Sequence, residues 1–453
     1  MGRITLEQAA QWCGGRIDPK YKDVVFFGAG NDTRKIEKGQ LFIALQGARD
    51  GHDFIPDALE KGAAAVLCTH CDGDYPAIVV PDTRIALGDI ARNERMRLGM
   101  QVVAVTGSVG KSTTKEMIAS VLQTTYRVSK TPVNHNSIIG MPMAILAMPE
   151  ETQVAVLEMG MNHFREIAYL SQIGKPDIGV IVNIGTMHIE FLGSMEGILK
   201  AKLEILEGMR EDGKLILNGD DAMLWNLHDS ESICASYFGI KNTASAVLGT
   251  NVIESEGTLR FQVSANDMQF LVTLEMEGLH NVTDALAAVS VGLQMGVKPE
   301  AIQNALRSFR NMAGRQQIYQ AGDYTIIEDC YNAGPESMAA ALEVLHKRSG
   351  RRIAVLGDML ELGVCTTAEH YKVGRIAAEK ADILLAYGAI SRKMLKGAIT
   401  GGMPEQKAKA FTDRDKLVAE LKRIAKPGDV ILFKGSRGLR MELALEAFLR
   451  KED

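Results

Sequence analysis

Residues 102–114 read VVAVTGSVGKSTT and combine the residue types that bind phosphate. Two glycines precede Lys111 and Ser112, after an apolar, β-branched run. Backbone N–H groups of a glycine turn can close on phosphate oxygens, a lysine ammonium adds a point charge, and a serine hydroxyl can ligate Mg²⁺. The usual pattern has a glycine five residues before Gly110, where this chain has Val105. The stretch predicts a shortened phosphate-binding loop between a strand and a helix, with an ordinary glycine-rich turn as the alternative.

Polar side chains follow the predicted strands in the middle of the chain. Glu158 ends VAVLE, Asn183 lies in IVNIG, and Asn218 ends KLILN. Ligands bind at the carboxyl edge of parallel sheets, and a carboxylate beside a phosphate loop is a natural Mg²⁺ ligand because this cation takes oxygen ligands. We therefore predict that Glu158 binds Mg²⁺. By residue type alone, His188 reads as a loop or core histidine, and Lys202 as a lysine on a helix surface.

The elements that must position these residues fall into three blocks. Residues 1–98 mix short strands and helices, and residues 99–312 alternate strands and helices before a β-rich stretch and two closing helices. Residues 313–453 alternate again and lack a Gly-x-Gly-x-x-Gly motif after their first strand. Continuous apolar runs indicate strands buried on both faces, hence parallel sheets. We predict an α/β protein with a small mixed N-terminal domain, a central P-loop ATPase-like domain and a C-terminal Rossmann-like domain.

The composition, net charge and cysteine spacing argue against several classes of function. The chain has 453 residues, 46% hydrophobic and 24% charged, and a net charge of −5, which argues against a nucleic-acid partner. No apolar run approaches the ~18 residues of a membrane span, and the first residues lack the apolar core of a signal peptide. The six cysteines are scattered, and Cys68-Thr-His-Cys71 has no second pair that would complete a zinc site. We expect a cytoplasmic monomer that neither inserts into membranes nor binds nucleic acid.

Eight segments, in order along the chain, resemble the Mur ligase family of peptidoglycan enzymes: TGSVGKST, LEMGMN, NIGTMHIE, AKLEIL, GLHNVTDALAA, EDCYNAGPESM, LGDMLELG and FKGSRG. The resemblance covers essentially the whole chain. In the sixth segment the family typically reads Asp-Asp-Ser-Tyr-Asn-Ala-Asn-Pro, whereas this chain has Glu328, Cys330 and Gly334 at the first, third and seventh positions. That segment points, within the family, to the activity that adds D-alanyl-D-alanine.

The resemblance implies a ligase with three partners: ATP, UDP-N-acetylmuramoyl-tripeptide and D-alanyl-D-alanine. The γ-phosphate of ATP would pass to the peptide carboxylate, and the dipeptide amine would attack the resulting acyl phosphate. Two Mg²⁺ ions are implied as cofactors. The C-terminal domain would close over ATP and exclude the water that hydrolyses acyl phosphates.

The resemblance also assigns catalytic roles. Lys111 would hold the β- and γ-phosphates, Ser112 and Glu158 would hold the first Mg²⁺, and His188 the second. Lys202 aligns with a family lysine that CO₂ converts to N6-carboxylysine, an anion that can support the second metal. Two alternatives stay open here: Lys202 remains a plain cation on phosphate, or Lys200 is the true counterpart.

The remaining site residues follow from the matched segments. The resemblance places the nucleotide on Thr106, Gly107, Ser108, Val109, Gly110, Lys111, Ser112, Thr113, Asn281, Arg315 and Asp329. It places the UDP-sugar and peptide, bound by residues 1–98 and by the segment after the phosphate-loop helix, on Thr33, Arg34, Gln46, Gly47, Asp50, Gly51, His52, Asn134 and Asn136. It assigns the incoming dipeptide and domain closure to Asn332, Asp358, Lys434, Ser436 and Arg437, on strand-end loops that face the cleft. Asn281 would approach the adenine, cap its helix, or do both.

Three other classes of function remain as alternatives. A ligase that adds the third amino acid, or a folylpolyglutamate synthetase-like enzyme, would share the fold, but the first carries a specificity motif that is missing here and the second lacks the N-terminal DGHDF segment. A P-loop switch or motor would need a complete phosphate loop. A non-catalytic nucleotide-binding scaffold would not need Lys111, Glu158, His188 and Lys202 together.

Overall fold

The computed structural model describes residues 3–255 and 257–450, so the outermost ends of the predicted first and third domains lie outside it. The chain forms three α/β units in sequence order. Helix α3 ends at Leu98 and the central sheet begins at Gln101, while the third unit begins after a connection that follows Ser308. These connections lie close to the predicted boundaries.

The N-terminal unit is a small α/β layer. Strands β3-β4-β5-β6 form a parallel sheet in that order, and β1 and β2 form a separate antiparallel pair. Its strands are β1 Ile4–Thr5, β2 Val25–Phe26, β3 Ala29–Gly30, β4 Leu41–Ile43, β5 Ala65–Cys68 and β6 Ala77–Val79, and its helices are α1 Leu6–Cys13, α2 Ile55–Glu60 and α3 Thr83–Leu98.

The central unit contains the phosphate loop. Its described strands form one sheet in the order β15-β14-β13-β12-β11-β10-β7-β9-β8, parallel from β8 to β13 and antiparallel beyond. The strands are β7 Gln101–Thr106, β8 Val128–Lys130, β9 Val154–Glu158, β10 Ile178–Ile181, β11 Lys214–Asn218, β12 Ala235–Gly239, β13 Val247–Ser255, β14 Thr258–Ala265 and β15 Met268–Leu274. The helices are α4 Lys111–Leu122, α5 Gly140–Leu146, α6 Glu166–Gly174, α7 Ile189–Leu192, α8 Met195–Leu203, α9 Ala222–Trp225, α10 Leu279–Gln294 and α11 Pro299–Ser308.

The C-terminal unit is a second open sheet covered by helices. The described strands run β16-β17-β21-β18-β19-β20, parallel except for the edge pair β16 and β17. The strands are β16 Gln317–Ala321, β17 Tyr324–Asp329, β18 Arg352–Gly357, β19 Ile383–Tyr387, β20 Ala408–Phe411 and β21 Val430–Lys434. The helices are α12 Pro335–His346, α13 Thr366–Lys380, α14 Ser391–Thr400, α15 Arg414–Ile424 and α16 Met441–Leu449. The predicted α/β class is confirmed.

Strand β7 is buried on both faces, which explains why its sequence is continuously apolar. Val103 and Val105 point into the core beneath α4 and α10, while Val102 and Ala104 point into a second core on the opposite face. Alternate side chains of a strand face opposite sides of its sheet, so a strand covered on both faces must be apolar throughout. The second core continues into the N-terminal unit through α1 and α3, which makes these two units one packed body.

The position of β7 also explains where a ligand can bind. β7 lies between β10 and β9, so the chain leaves it towards one side of the sheet and later returns on the other. Such a switch point opens a crevice at the carboxyl ends of the strands. The predicted strand VAVLE ends at Glu158 as expected, whereas the strand that contains IVNIG ends earlier, at Ile181, because the chain turns away there to line this crevice.

The described helices include none with the length and apolar content that would cross a lipid bilayer.

Candidate active site

The loop between β7 and α4 has the geometry of an anion cradle. Gly110 has a φ of +83°, and a Cβ atom there would lie 2.7 Å from Oδ1 of Asp284. The Asn183 side chain, two residues after β10, accepts the N–H groups of Ser108 and Val109 at 3.0 and 2.9 Å. A neighbouring strand therefore shapes this loop, and a helix N-terminus with a partial positive charge follows it.

Lys111 folds back over this loop. Its Nζ donates to the carbonyl oxygens of Gly107 at 2.7 Å and Ser108 at 3.2 Å. Burial lowers the pKa of Lys111, and the nearby Glu158 carboxylate opposes that change. The lysine head group thus lies at the mouth of the loop, where phosphate oxygens would enter.

Glu158 is a buried carboxylate at the end of β9, with 4% of its surface exposed. It accepts hydrogen bonds from Ser112 Oγ at 2.8 Å and from Asn136 Nδ2 at 2.7 Å. Burial pushes its pKa upwards, but Lys111, Lys115 and these hydrogen bonds outweigh burial, and the pKa is lowered overall. The carboxylate is therefore held in its charged form.

Lys115 was not predicted from the sequence as a site residue, although it lies beside Glu158. Its side chain is completely buried, with Nζ 2.8 Å from the carbonyl oxygen of Thr131 and 3.7 Å from Oε2 of Glu158. The residue lies one helical turn after Lys111, so the i, i+4 spacing could have indicated that both lysines face the same side.

The donor set at Glu158 suits a magnesium ion. Ser112 Oγ and Glu158 Oε2 are hard oxygen donors 2.8 Å apart beside the phosphate loop. Within residues 3–255 and 257–450, no group of three or more His, Cys, Asp or Glu side chains could hold a metal ion. Mg²⁺ commonly keeps waters and phosphate oxygens and takes one or two protein ligands, so this pair is sufficient for a nucleotide-bound ion.

His188 also lies in the wall of the crevice. Its backbone is left-handed, with a φ of +67°, and Nδ1 lies 2.8 Å from Oε2 of Glu361 in the C-terminal unit. It is a loop residue that precedes α7 and lines the cleft. Glu361, in LGDMLELG, was not singled out from the sequence, because its partner is more than 170 residues away.

Lys202 differs from the expectation based on residue type alone. It is 1% exposed, whereas Lys200 is exposed and lies 6.0 Å from the centre of the Phe164 ring. Burial, aided by the charge of Lys111, lowers the pKa of Lys202 far below its usual value. Among the described residues no carboxylate lies within ion-pair distance of its amine. The helix-surface interpretation was wrong, and the structure separates the two lysines that the sequence left open.

Arg315 reaches the phosphate loop from the start of the C-terminal unit. One guanidinium nitrogen donates to Ser112 Oγ at 2.9 Å, and the group lies 4.0 Å from the centre of the Tyr331 ring. The Tyr331 hydroxyl donates to Asn134 Oδ1. These contacts close the cleft across the two units.

The loop after β17 supplies another polar cluster. Lys434 Nζ lies 2.6 Å from Asp329 Oδ2 and donates to the carbonyl oxygen of Asn332 at 3.0 Å. All three residues line the cleft, as predicted for Asn332 and Lys434. The strand ends of β17 and β21 are adjacent, which explains why these distant residues meet.

Asn281 does not cap its helix. Gly278 occupies the N-cap position of α10, and the Asn281 side chain donates to the carbonyl oxygen of Glu277 at 2.6 Å. Asn281 lies in the wall of the cleft that also contains Ser112 and Asp329, and its approach to the adenine stays a prediction.

The cleft between the central and C-terminal units has a volume of about 540 Å³, within the range of small-molecule sites. The predicted residues in its wall are Ser108, Val109, Gly110, Lys111, Ser112, Thr113, Asn136, Glu158, His188, Asn281, Arg315, Asp329, Asn332 and Lys434. Thr106 is buried at the end of β7, and Gly107 turns the chain behind the wall.

Three residues predicted to face the cleft lie elsewhere. Asp358 is buried and accepts the N–H of Ile390 at 2.8 Å. Ser436 accepts the N–H of Leu360 at 2.9 Å, and the exposed Arg437 pairs with Glu442 at 3.1 Å. The resemblance placed all three on strand-end loops that face the cleft. In the structure, Asp358 and Ser436 accept from backbone groups inside the C-terminal unit, and Arg437 extends into solvent.

Seven of the residues predicted for the UDP-sugar and peptide, from Thr33 to His52, lie in the N-terminal unit, outside the cleft wall. Asn134 and Asn136 lie in the central unit, and Asn136 is part of the cleft wall.

We call residues 32–52 the N-terminal loops. His52 Nε2 accepts the Thr69 N–H at 3.0 Å and the Gln46 carbonyl oxygen accepts from Arg84 at 2.7 Å, whereas the side-chain contacts of Arg34 and Asp50 are local. Arg34 is exposed and pairs with Asp32 at 2.8 Å, whereas His52 is held by Asp50 at 2.6 Å. Gly51 must be glycine because a Cβ atom would lie 2.5 Å from the Leu45 nitrogen. Thr33 is buried, and Gln46, Gly47 and Asp50 belong to the same tight turn.

Three family models match consecutive parts of the chain. The Mur ligase family catalytic domain matches residues 27–95, the Mur ligase middle domain matches residues 105–292, and the Mur ligase glutamate ligase domain matches residues 314–437.

Curated relatives match over nearly the full length. A UDP-N-acetylmuramoyl-tripeptide--D-alanyl-D-alanine ligase from Bacillus subtilis is 39% identical over 98% of this chain and 97% of its own. The enzyme of the same name from Escherichia coli is 35% identical over 98% of both chains.

Solved structures share the fold. A crystal structure of MurF from Acinetobacter baumannii has a TM-score of 0.92 and 32% identity over 100% of both chains. A MurF ligase from Thermotoga maritima in complex with ADP has a TM-score of 0.82 and 29% identity, covering 93% of this chain and 97% of that one.

Proposed function

The chain belongs to the Mur ligase family, and we propose that it joins D-alanyl-D-alanine to UDP-N-acetylmuramoyl-tripeptide in an ATP-dependent reaction. The observation that carries this proposal is the closed cleft. It places a phosphate loop, a buried carboxylate and the strand-end residues of a second α/β unit around one volume of about 540 Å³. Relatives of that name match the whole chain.

The reaction has two steps. The peptide carboxylate attacks the γ-phosphorus of ATP, ADP leaves, and an acyl phosphate forms. The dipeptide amine then attacks the acyl carbon, the C–O bond to phosphate breaks, and phosphate leaves with the electron pair while the amine loses its proton. Phosphoryl transfer requires mainly positioning and charge neutralisation, which the phosphate-loop amides, Lys111 and Arg315 are placed to supply.

Ser112 and Glu158 would hold one Mg²⁺ and His188 a second. When bound, these ions would neutralise charge on the transferring phosphoryl group. The protein's own contribution is the charged state of Glu158, which Lys111 and Lys115 maintain despite burial. Arg315 donates to Ser112 and thereby orients the hydroxyl lone pairs.

Lys202 is proposed as the site of carboxylation. Only a neutral amine attacks CO₂, and burial, which lowers the pKa of Lys202, favours this neutral form. The Nζ lone pair forms a bond to the CO₂ carbon, one proton is released, and the product carries a negative charge. This charge would compensate Lys111 within the same buried cluster.

The N-terminal loops are proposed to bind the UDP-sugar. Arg34 is exposed, and its partner Asp32 is two residues away, so the guanidinium can exchange this carboxylate for a diphosphate. Asn136 lies in the cleft wall and donates to Glu158 Oε1 at 2.7 Å, which supports a site for the peptide beside Glu158.

We propose that the enzyme acts in the cytoplasm. All six cysteines are free thiols. Scattered unpaired cysteines are typical of proteins in reducing compartments.

The test is ADP release by the purified protein. Release that requires both UDP-N-acetylmuramoyl-tripeptide and D-alanyl-D-alanine supports the proposal, with mass spectrometry of the amide product as confirmation. Release with free amino acids but not with the dipeptide would reject it and favour a ligase that adds single residues. Release with ATP alone would favour a P-loop switch or motor.

A further inference from the structure

The segment that follows β10 is hydrogen-bonded to the phosphate loop. The Gly185 N–H donates to Ser108 Oγ at 2.8 Å, and this hydroxyl donates to the Gly185 carbonyl oxygen at 3.0 Å. Ser108 lies within the phosphate loop and is buried. We call residues 183–187 the support segment, because a displacement of this segment would also displace the phosphate loop.

A carboxylate of the C-terminal unit holds the support segment. Glu336, in the first turn of α12, accepts the backbone N–H of Thr186 at 2.9 Å and the Thr186 hydroxyl at 3.1 Å, both through Oε1. A Cβ atom at Gly185 would lie 3.0 Å from the same carboxylate, so the contact is close. Hydrogen bonds to an ionised acceptor are stronger than those between neutral groups.

The residue before α12 makes this contact possible. Gly334 stands where the family typically has asparagine, and its φ of −141° is one that any residue can adopt. A Cβ atom there would lie 2.4 Å from the sulfur of Met187. The Met187 side chain is only 5% exposed, so it has little room to move aside. The missing side chain at position 334 therefore lets α12 approach the support segment.

The other end of α12 is also tied to the central unit. Just after the helix, Lys347 pairs with Glu254, and Arg348 pairs with Glu277 at 2.6 Å. The helix thus contacts the central unit at both ends, and Glu336 lies at the end that lines the cleft.

We propose that Glu336 is a positioning residue that couples closure of the C-terminal unit to the shape of the phosphate loop. The coupling passes from the Glu336 carboxylate to Thr186, along the backbone to Gly185, and from there to Ser108. Because the carboxylate and the support segment belong to different units, this contact forms only when the cleft is closed. The phosphate loop then has all its supports only in a cleft that excludes water. The kinetic consequence rests on the proposed function.

The first experiment measures closure and does not depend on ligase activity. Small-angle X-ray scattering of the full chain in saturating ADP gives the radius of gyration of the wild type and of each variant. We expect Glu336→Ala to have the larger radius, because loss of hydrogen bonds to a charged acceptor shifts the ratio of closed to open molecules about tenfold towards the open form. Glu336→Gln should stay close to the wild type, since its amide oxygen can accept both hydrogen bonds.

Glu343→Ala is the matched control for this experiment. Glu343 lies on the same helix and pairs with Lys380 at 2.8 Å within the C-terminal unit. We expect this variant to have the radius of gyration of the wild type, because its ion pair does not join the two units.

The second experiment tests the space at Gly334. Gly334→Ala places a Cβ atom against Met187 and should increase the radius of gyration as Glu336→Ala does. Met187→Ala removes both atoms that would meet this Cβ atom, the sulfur and Cγ. In the double variant Gly334→Ala/Met187→Ala, the alanine at position 334 should therefore have little further effect beyond that of Met187→Ala. Additive effects would show that the two residues do not compete for one space.

Steady-state kinetics distinguish positioning from a loss of stability. We expect Glu336→Ala to lower kcat about tenfold, with the KM values for the peptide substrate and the dipeptide changed less than about threefold. Glu336→Gln should recover most of the loss, and Glu343→Ala should behave like the wild type. A purely structural role would lower the thermal midpoint of unfolding in Glu336→Ala without separating kcat from KM.

Three results would overturn the inference. A wild-type radius of gyration in Glu336→Ala would mean that this residue does not hold the cleft closed. A normal kcat in the same variant would separate closure from the phosphate loop, and equal losses in Glu343→Ala would indicate a general disturbance of α12. If the wild type shows no ligase activity, the proposed function fails, whereas scattering in ADP still decides whether Glu336 holds the two units together.

Discussion

The cleft and the N-terminal loops contain similar polar residues but are built differently. In the cleft, Asn183 holds the phosphate loop from a neighbouring strand, and Arg315 reaches Ser112 across two units. In the N-terminal loops, Arg34 pairs with Asp32, only two positions before it. Long-range contacts preorganise the phosphate loop, whereas the local ion pair leaves the Arg34 side chain free to rearrange.

This difference has an energetic meaning. Preorganised groups in a buried site stabilise developing charge without reorganising during the reaction. An exposed ion pair contributes only ~0–1 kcal/mol, so it can be exchanged for a ligand at little cost. We therefore expect substitutions in the cleft to act on the chemical step, and substitutions in the N-terminal loops to act on substrate binding.

The largest effect should come from Lys111→Ala. Removal of an ammonium that lies at the mouth of the phosphate loop is expected to lower kcat/KM about 10³-fold, as for other preorganised charge-stabilising donors. Steady-state ADP release measures it, with the exposed Lys214→Ala as the control. A loss smaller than about tenfold would contradict the comparison, because the phosphate would then bind elsewhere.

Lys202→Ala should reduce kcat by about 10²-fold, the upper part of the range for residues that support a metal site. Short-chain carboxylic acids should restore part of this activity by supplying the missing anion. The exposed neighbour Lys200 provides the matched control, and Lys200→Ala should behave like the wild type. Full activity of Lys202→Ala would reject the carboxylated lysine.

Arg34→Ala tests the other region. We expect the KM for the UDP-linked substrate to rise about tenfold, which corresponds to the loss of one charge-assisted hydrogen bond, while the KM for ATP and kcat stay unchanged. Lys35→Ala, at an exposed neighbouring position, serves as the control. A change in kcat with an unchanged KM would mean that Arg34 acts on the chemical step. It would contradict the expected difference between the cleft and the N-terminal loops.

The contributions of one cleft residue, Asp284, and one residue of the N-terminal loops, Asp50, to the free energy of unfolding should change with pH in opposite directions. Burial raises the pKa of Asp284 to about 7, so the folded state binds a proton that the unfolded state has lost. Stability from this group is present below pH ~4 and falls as pH rises to about 7, by up to about 4 kcal/mol. The backbone and side-chain hydrogen bonds from His52 lower the pKa of Asp50, whose contribution is present above pH ~4 and lost in acid.

Thermal unfolding of Asp284→Asn between pH 4 and 8, and of Asp50→Asn between pH 2 and 8, checks these signs. Relative to the wild type, Asp284→Asn should gain stability as pH rises, whereas Asp50→Asn should be the less stable protein at neutral pH and approach the wild type only below pH ~4. The Asp50 change is the smallest expected effect because this carboxylate is solvated. Equal slopes for both variants would mean that Asp284 is not buried as a neutral acid.

Much of the architecture follows from local patterns. The continuously apolar β7, β9 and β11 predicted a parallel sheet, and the glycines before Lys111 predicted the turn that joins β7 to α4. Strands such as β8 and β12 were not predicted, because they are short and carry polar residues. Edge positions are specified by the strands beside them, which are distant in sequence.

The site was only partly predictable for the same reason. Lys111, Glu158 and Asn281 line the cleft as expected, but Asp358 and Ser436 stabilise loops inside the C-terminal unit. A strand-end position gives the edge of the sheet where a residue lies. It does not give the direction of its side chain, which depends on how the loop packs.

By itself, the amino-acid sequence determined which chemistry this protein can perform, because glycines, a lysine and a hydroxyl at fixed spacing form a phosphate loop wherever a strand meets a helix. Only the tertiary structure decided which lysine is buried and which acidic side chain lies beside His188. Lys200 and Lys202 are two residues apart, yet one is solvated and the other loses most of its contact with water. Burial, and the pairing of His188 with Glu361, arise from contacts between residues far apart in the chain, and no local pattern contains them.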